Sequence, residues 1–111
     1  MKLDRPSSGT LVGEVILTDP ERDAVVALFE GYLLAGPRHQ AWPRSYAEAA
    51  RRLGAPRTKD GVRRQIERLR KRLAGDGHYF EGPRANFELA DHLIGNRVIS
   101  RGDLVRLPVG R

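Results

Sequence analysis

The chain has 111 residues, of which 40% are apolar, and this is enough for one domain with a single core. It contains no cysteine, which excludes a disulfide framework, a thiolate metal site and a cysteine nucleophile. No apolar stretch of signal-peptide length opens the sequence, and nowhere do about 18 apolar residues follow one another. The sequence therefore predicts a cytoplasmic protein outside the membrane.

The positive charge is concentrated in one third of the chain. The net charge is +6, but the stretch from Arg38 to Arg72 holds twelve basic residues and three acids and carries +9. The remaining residues carry −3. Such asymmetry is typical of a surface that binds a polyanion, because the counterions released on binding drive association. The alternative is an arginine-rich helix that is merely solvated.

The first elements are predicted from turn residues and capping signals. Residues 1–9 are rich in Pro, Ser and Gly and predict a flexible tail, followed by a domain over residues 10–108. Residues 11–17 (LVGEVIL) predict a short strand. The Thr18-x-x-Glu21 capping box, with a proline in the first turn, predicts a first helix that ends before Gly36-Pro37.

Two further helices follow a loop that contains Trp42, which we expect to cover the edge of the core. Ser45 and Glu48 form a second capping box, so a short second helix begins there and ends at the Gly54-Ala55-Pro56-Arg57 break. Thr58 then caps a third helix that reaches about Ala74. Its core-facing stripe has helical spacing: Val62, Ile66, Leu69 and Leu73.

The sequence after Gly77 allows two readings. Phe87, Ala90, Leu93 and Ile94 suit a fourth helix that starts near Pro83 or Arg84 and ends at Gly95. Alternatively, residues 79–89 form a β-hairpin around Gly82-Pro83-Arg84, which would be the wing of a winged helix. We favour the helix. Ser100 predicts the cap of a last short turn.

The third helix carries the candidate nucleic-acid contacts. At 100° per residue its apolar stripe faces inward, so Arg64, Arg68 and Lys71 point away from the core. Two short helices joined by a glycine-containing turn, the second long and basic, are typical of a DNA-binding helix-turn-helix. Base-edge contacts are expected from Lys59, Arg63 and Arg64, and Arg68 is expected to reach either a base or a phosphate. Phosphate contacts are expected from Ser45, Arg51, Arg52, Arg57 and Thr58.

The run LTDPERDAVVALFEGYLL…SYAEAARRLGAPRTKDGVRRQIERLRKRL resembles winged helix-turn-helix domains of bacterial transcription factors. It is similar in particular to those attached to forkhead-associated domains in actinobacterial proteins, which are related to the sigma region-four and response-regulator class. The resemblance covers about residues 16–95 and implies that Arg63, Arg64 and Gln65 contact the groove. From Ala50 to Val62 the chain is two residues longer than the usual pattern, with Pro56-Arg57 as the insertion.

No chemistry-bearing constellation is visible. His39, His78 and His92 lie far apart in sequence, and no serine has a nucleophile-elbow context, so we expect no metal, no cofactor and no enzymatic activity. The predicted fold is mostly α, with a three-helix helix-turn-helix core. The predicted function is sequence-preferring binding of double-stranded DNA in bacterial transcription control, near the nucleoid, with a homodimer or a regulatory domain as further partner. The alternative is a protein–protein interaction module that binds an acidic partner.

Overall fold

Helices form most of the chain that the computed structural model describes, which covers residues 15–35 and 42–108. Five α-helices and one 3-10 helix occur in these ranges: α1 (Asp19–Leu28), α2 (Glu30–Ala35), α3 (Tyr46–Leu53), α4 (Lys59–Gly75), α5 (Ala85–Gly95) and the 3-10 helix (Arg101–Arg106). The prediction of a mostly α fold is therefore confirmed, and residues 15–35 and 42–108 contain no strand. The predicted tail and most of the predicted strand lie outside the described residues, and residues 15–17 have no regular structure.

Helix α1 is the central element of the core. The predicted capping box is present, since Glu21 N–H donates to Thr18 Oγ1 at 3.2 Å and Thr18 N–H donates to Glu21 Oε1 at 3.1 Å. From Ala24 to Phe29 every residue is completely buried. A helix that is apolar on all sides is surrounded by other elements, and α3, α4 and the 3-10 helix all contact α1.

The predicted first helix is broken at Phe29. Arg44 accounts for the break, because its backbone N–H donates to the Leu28 carbonyl and its guanidinium donates to the Ala27 carbonyl, both at 2.9 Å. These carbonyls would otherwise accept the N–H groups of the next helical turn. Tyr32 N–H instead donates to Phe29 O at 3.0 Å, and the chain continues as the short helix α2.

Helices α3 and α4 form a capped pair joined by a short turn. Ser45 and Glu48 cap α3, and Thr58 caps α4 by accepting from Gly61 N–H at 3.0 Å. Gly54 ends α3 with φ +85°, a conformation that favours glycine, and the following Ala55–Pro56 peptide bond is cis. The predicted stripe of α4 is buried in the core: Val62, Ile66, Leu69 and Leu73.

The segment after α4 forms a helix, and the alternative of a β-hairpin over residues 79–89 is wrong. Ala85 begins α5 after a turn in which its N–H donates to Gly82 O at 3.1 Å. One face of α5 is buried in the core, and its residues have helical spacing: Ala85, Leu89, Ala90 and Leu93. Ala85 and Leu89 belong to the range of the predicted hairpin, and Ala90 follows it directly. Residues 78–81 have no regular secondary structure.

The predicted final turn is a 3-10 helix held against α1. The Asp103 carboxylate accepts from Ser100 N–H at 2.8 Å, and Leu107 after the helix is buried. Arg22 of α1 donates to Val98 O at 2.9 Å just before it. In the described ranges, no helix is both long and apolar enough to cross a bilayer.

Candidate nucleic-acid interface

Helix α4 presents four exposed cations. Within the described part of the chain they form no ion pair and no side-chain hydrogen bond: Lys59, Arg64, Arg68 and Lys71. The helical repeat sets Arg64 and Lys71 opposite the buried stripe. A helix anchored by one apolar face and carrying unpaired cations on the other can approach a polyanion without a rearrangement of the core.

Arg51 adds a fifth such cation from α3. Ala49 and Ala50 of this helix are buried, whereas Arg51 is exposed and pairs with no carboxylate among the described residues. We call Arg51 and the four cations of α4 the outward cations. Ser45 and Thr58, the predicted phosphate contacts at the helix starts, use their hydroxyl oxygens as caps and remain exposed.

Arg63 is held only by surface ion pairs on its own helix. Its guanidinium lies 3.4 Å from Asp60 and 3.4 Å from Glu67, and hydrogen bonding to Asp60 together with the charge of Glu67 raises the pKa of Arg63. Both carboxylates are more than half exposed. Exposed pairs of this kind contribute little to stability, so Arg63 can exchange them for a phosphate or a base edge.

Arg72, in contrast, is a structural residue. Its guanidinium forms a two-pronged ion pair with Glu21, with both N–O distances 2.7 Å, and also donates to the Ile16 carbonyl at 2.8 Å. Only 1% of the Glu21 side chain is exposed. The hydrogen bond from Arg72 is the largest influence on this carboxyl, and the pKa of Glu21 is lowered in spite of its burial.

Arg52 and Arg44 converge on the buried Glu30. Arg52 donates to the two carboxylate oxygens at 2.9 and 3.1 Å, and Arg44 donates to one of them. Burial acts to raise the pKa of Glu30, but the hydrogen bonds from Arg52 and Arg44 outweigh it and the pKa is lowered. Arg52 also donates to Pro108 O at 2.6 Å, so this predicted phosphate contact is engaged inside the fold.

Arg57 is likewise engaged, because it donates to Asp23 of α1 at 2.8 Å. The same carboxylate accepts from Arg106 of the 3-10 helix at 2.7 Å. One acid thus joins the turn before α4 to the C-terminal part of the fold. We call the four arginines of the basic stretch that pair with α1 or α2 the anchored arginines: Arg44, Arg52, Arg57 and Arg72.

Gln65 lies on the flank of α4 that faces α1. It is half-buried and lines a shallow groove together with Pro20, Ala24 and Arg64. The helical repeat places Arg63 on the opposite flank of α4. The helical repeat therefore places Arg64, Arg68 and Lys71 on one exposed face, with Lys59 and Arg63 on one flank and Gln65 on the other.

Trp42 is 64% exposed, so the expectation that it covers the core edge is wrong. Its ring packs edge-on against Phe87 of α5, with centroids 5.4 Å apart and an angle of 88°. The Arg84 guanidinium lies 4.8 Å from the centre of the Phe87 ring. Sequence reasoning missed this cluster, because Trp42 and Phe87 lie far apart in the sequence and only the tertiary fold brings their rings together. We call Trp42, Phe87 and Arg84 the aromatic patch.

Two histidines also meet in the fold. The rings of His78 and His92 are 4.6 Å apart, and the His92 ring lies 5.4 Å from Phe80. No group of three or more metal-ligating side chains occurs in residues 15–35 and 42–108. The two imidazole rings therefore pack against each other.

Comparisons with protein-family models, with curated proteins and with solved structures found no match to the chain.

Proposed function

We propose that the protein is a sequence-preferring binder of double-stranded DNA, built on a helix-turn-helix formed by α3 and α4, and acting in bacterial transcription control in the cytoplasm. The single observation that carries the proposal is the outward face of α4. Arg64, Arg68 and Lys71 are exposed there without partners among the described residues, while the opposite face of the same helix is buried.

In the proposed complex, α4 enters the major groove, which is wide enough for one α-helix. The exposed Arg64 and Arg68 contact base edges, and an arginine fork suits the O6 and N7 atoms of guanine. Arg63 joins them after it exchanges its weak surface ion pairs. Arg51 and the exposed starts of α3 and α4 lie along the phosphate backbone.

The anchored arginines support this arrangement without contacting DNA. Arg72 ties the C-terminal half of α4 to the start of α1, and Arg57 ties the preceding turn to Asp23. We therefore leave Arg52, Arg57 and Gln65 out of the proposed contact set. If about five phosphates are neutralised in the complex, log affinity falls with log salt at a slope of about −4.5.

The proposal is tested by titrating a labelled duplex with the wild type and with the double variant Arg64→Ala/Arg68→Ala. We expect the double variant to lose about 30-fold or more in affinity, because each groove contact contributes about 1 kcal/mol or more. Because both side chains contact base edges in the proposed complex, the double variant should also lose part of its preference among duplex sequences.

The matched control is Arg97→Gly/Arg101→Ala. It removes two exposed charges, one from the turn after α5 and one from the first residue of the 3-10 helix. Glycine suits the φ of +59° at Arg97, so the control fold is not strained. Equal losses in the two double variants would mean that only net charge matters, and the assignment of α4 to the groove would be wrong. Failure to bind duplex DNA at all would favour the alternative of an acidic protein partner.

A further inference from the structure

We propose that the aromatic patch is a second contact surface for duplex DNA, on which Trp42 packs against the sugar–phosphate backbone that flanks the segment bound by α4. This inference rests on the proposed function and extends the interface from α3 and α4 to the start of α5. Nothing in the amino-acid pattern alone joins Trp42 to Arg84 and Phe87.

The indole of Trp42 is held in place and yet uncovered. Phe87 supports it edge-on at 5.4 Å, and the neighbouring Arg44 is fixed to the end of α1 through its backbone N–H and its guanidinium. Nevertheless, 64% of the Trp42 surface is exposed. A rigid aromatic side chain in this state loses little conformational entropy when a ligand covers it, which is why tryptophan is enriched among residues that dominate binding energy.

The charges beside the indole favour an anionic ligand. Arg84 is exposed and lies over the Phe87 ring, and Arg51 lines an open cleft together with Trp42. Neither arginine pairs with a carboxylate in residues 15–35 and 42–108. The acid that lines the cleft is Glu48, whose carboxylate already accepts from Ser45 N–H at 3.0 Å.

The nature of the ligand follows from this mixture of groups. The Trp42 ring lies near the guanidinium groups of Arg51 and Arg84, which pair with no carboxylate of the described residues. Such a surface fits a polymer in which anionic groups alternate with apolar units, as phosphates alternate with deoxyriboses in DNA. Arg51 belongs both to this cleft and to the outward cations, so the aromatic patch is continuous with the proposed DNA surface. Since the first helix of a helix-turn-helix crosses the backbone, the segment just before α3 lies beside that backbone in the proposed complex.

The chain contains a single tryptophan, so its emission reports on this surface alone. The experiment measures acrylamide quenching of Trp42 in the whole protein, free and saturated with a mixed-sequence duplex of about 25 base pairs, which spans more than two helical turns. We expect the quenching constant to be roughly halved by the duplex, because the covered face of the indole no longer meets the quencher.

Affinity measurements on variants complete the test. We expect Trp42→Ala to weaken duplex binding about tenfold, as truncation of a buried interface aromatic does. Tyr79→Ala is the matched control, since Tyr79 is an aromatic residue with 67% exposure outside the patch, and it should leave affinity unchanged. Arg84→Ala should make the salt slope shallower by about 0.9.

The outcomes separate the two proposals. If the duplex binds and depends on Arg64 and Arg68 while Trp42 stays fully open to acrylamide, this inference is overturned and the proposed function stands. Protection by single-stranded DNA or by anionic lipid vesicles, without protection by the duplex, also overturns it. If no duplex binds, the proposed function itself fails, and this inference fails with it.

Discussion

The anchored arginines and the outward cations are the same kind of residue in the same basic stretch, and they differ in what faces them. Each anchored arginine meets a carboxylate of α1 or α2, as Arg72 meets Glu21 at 2.7 Å and Arg57 meets Asp23 at 2.8 Å. The outward cations meet no carboxylate in the described ranges. A count of positive charge along the sequence therefore overstates the charge available to a ligand, because part of it is neutralised inside the fold.

The comparison also explains how a small domain can hold acids in its core. Glu21 and Glu30 are the buried charged residues of the described chain, and each one receives at least two hydrogen bonds from arginine. A buried carboxylate is costly unless it is paired and hydrogen-bonded. The anchored arginines satisfy that requirement. We therefore expect substitution of an anchored arginine to lower stability, and substitution of an outward cation to lower DNA affinity.

The largest expected effect is on stability, from Arg72→Ala. The substitution leaves Glu21 buried without its partner, and we expect a loss of about 2 kcal/mol in the free energy of unfolding. This is below the range for fully buried pairs, because 42% of the Arg72 side chain is exposed. Urea unfolding followed by circular dichroism measures the loss.

Arg68→Ala is the matched control for Arg72→Ala, since it removes an arginine from the neighbouring turn of the same helix. We expect it to change stability by less than about 0.5 kcal/mol while it weakens DNA binding. The distinction between the two groups would be refuted if Arg68→Ala unfolded the protein as readily as Arg72→Ala.

A smaller effect is expected from acid. Arg72 holds the pKa of Glu21 below the ordinary 4.5, and Arg52 and Arg44 do the same for Glu30 against its burial. Because the folded pKa values are depressed, this stability is present above pH 4.5 and is lost as pH falls through the folded pKa values. Denaturant titrations at several pH values should show the decline, with a shallower decline in Arg72→Ala, where Glu21 has lost its partner. An equally steep decline in that variant would contradict the role of the pair.

The helical core could be predicted from the sequence because its signals are local. The Thr18–Glu21 and Ser45–Glu48 capping boxes, and the buried stripe of α4, each depend on residues within one element. The break at Phe29 could not be predicted, since it depends on Arg44 reaching back to the carbonyls of Ala27 and Leu28. The residues around Phe29 do not indicate that contact, because Arg44 lies 15 residues further along the chain.

The candidate site divides along the same line. The helical repeat alone turns Arg64 and Arg68 outward, and both are exposed. By contrast, the pairing of Arg52 with Glu30 and of Arg57 with Asp23 joins residues of different helices. The sequence predicted phosphate contacts for both arginines. It could not show that a different helix supplies an acid to each of them.

The smallest expected effect concerns His92, whose ring packs against those of His78 and Phe80. Burial lowers the pKa of His92, and the charge of His78 on the adjoining ring lowers it further. Because the folded pKa lies below the ordinary 6.5, the contribution of His92 to stability is complete above pH 6.5. It declines as pH falls below 6.5, until the folded pKa is reached.

His92 Nε2 is buried without a hydrogen-bond partner within the described residues, so a proton added to this nitrogen would find no acceptor. We expect His92→Phe to remove a small pH dependence of the free energy of unfolding between about pH 7.5 and pH 5.5. His78→Phe should remove a smaller part, because the burial of His92 persists. Thermal unfolding at matched pH values measures both, and a wild-type stability that rises on acidification through this window would show that the pair is stabilised by protonation instead.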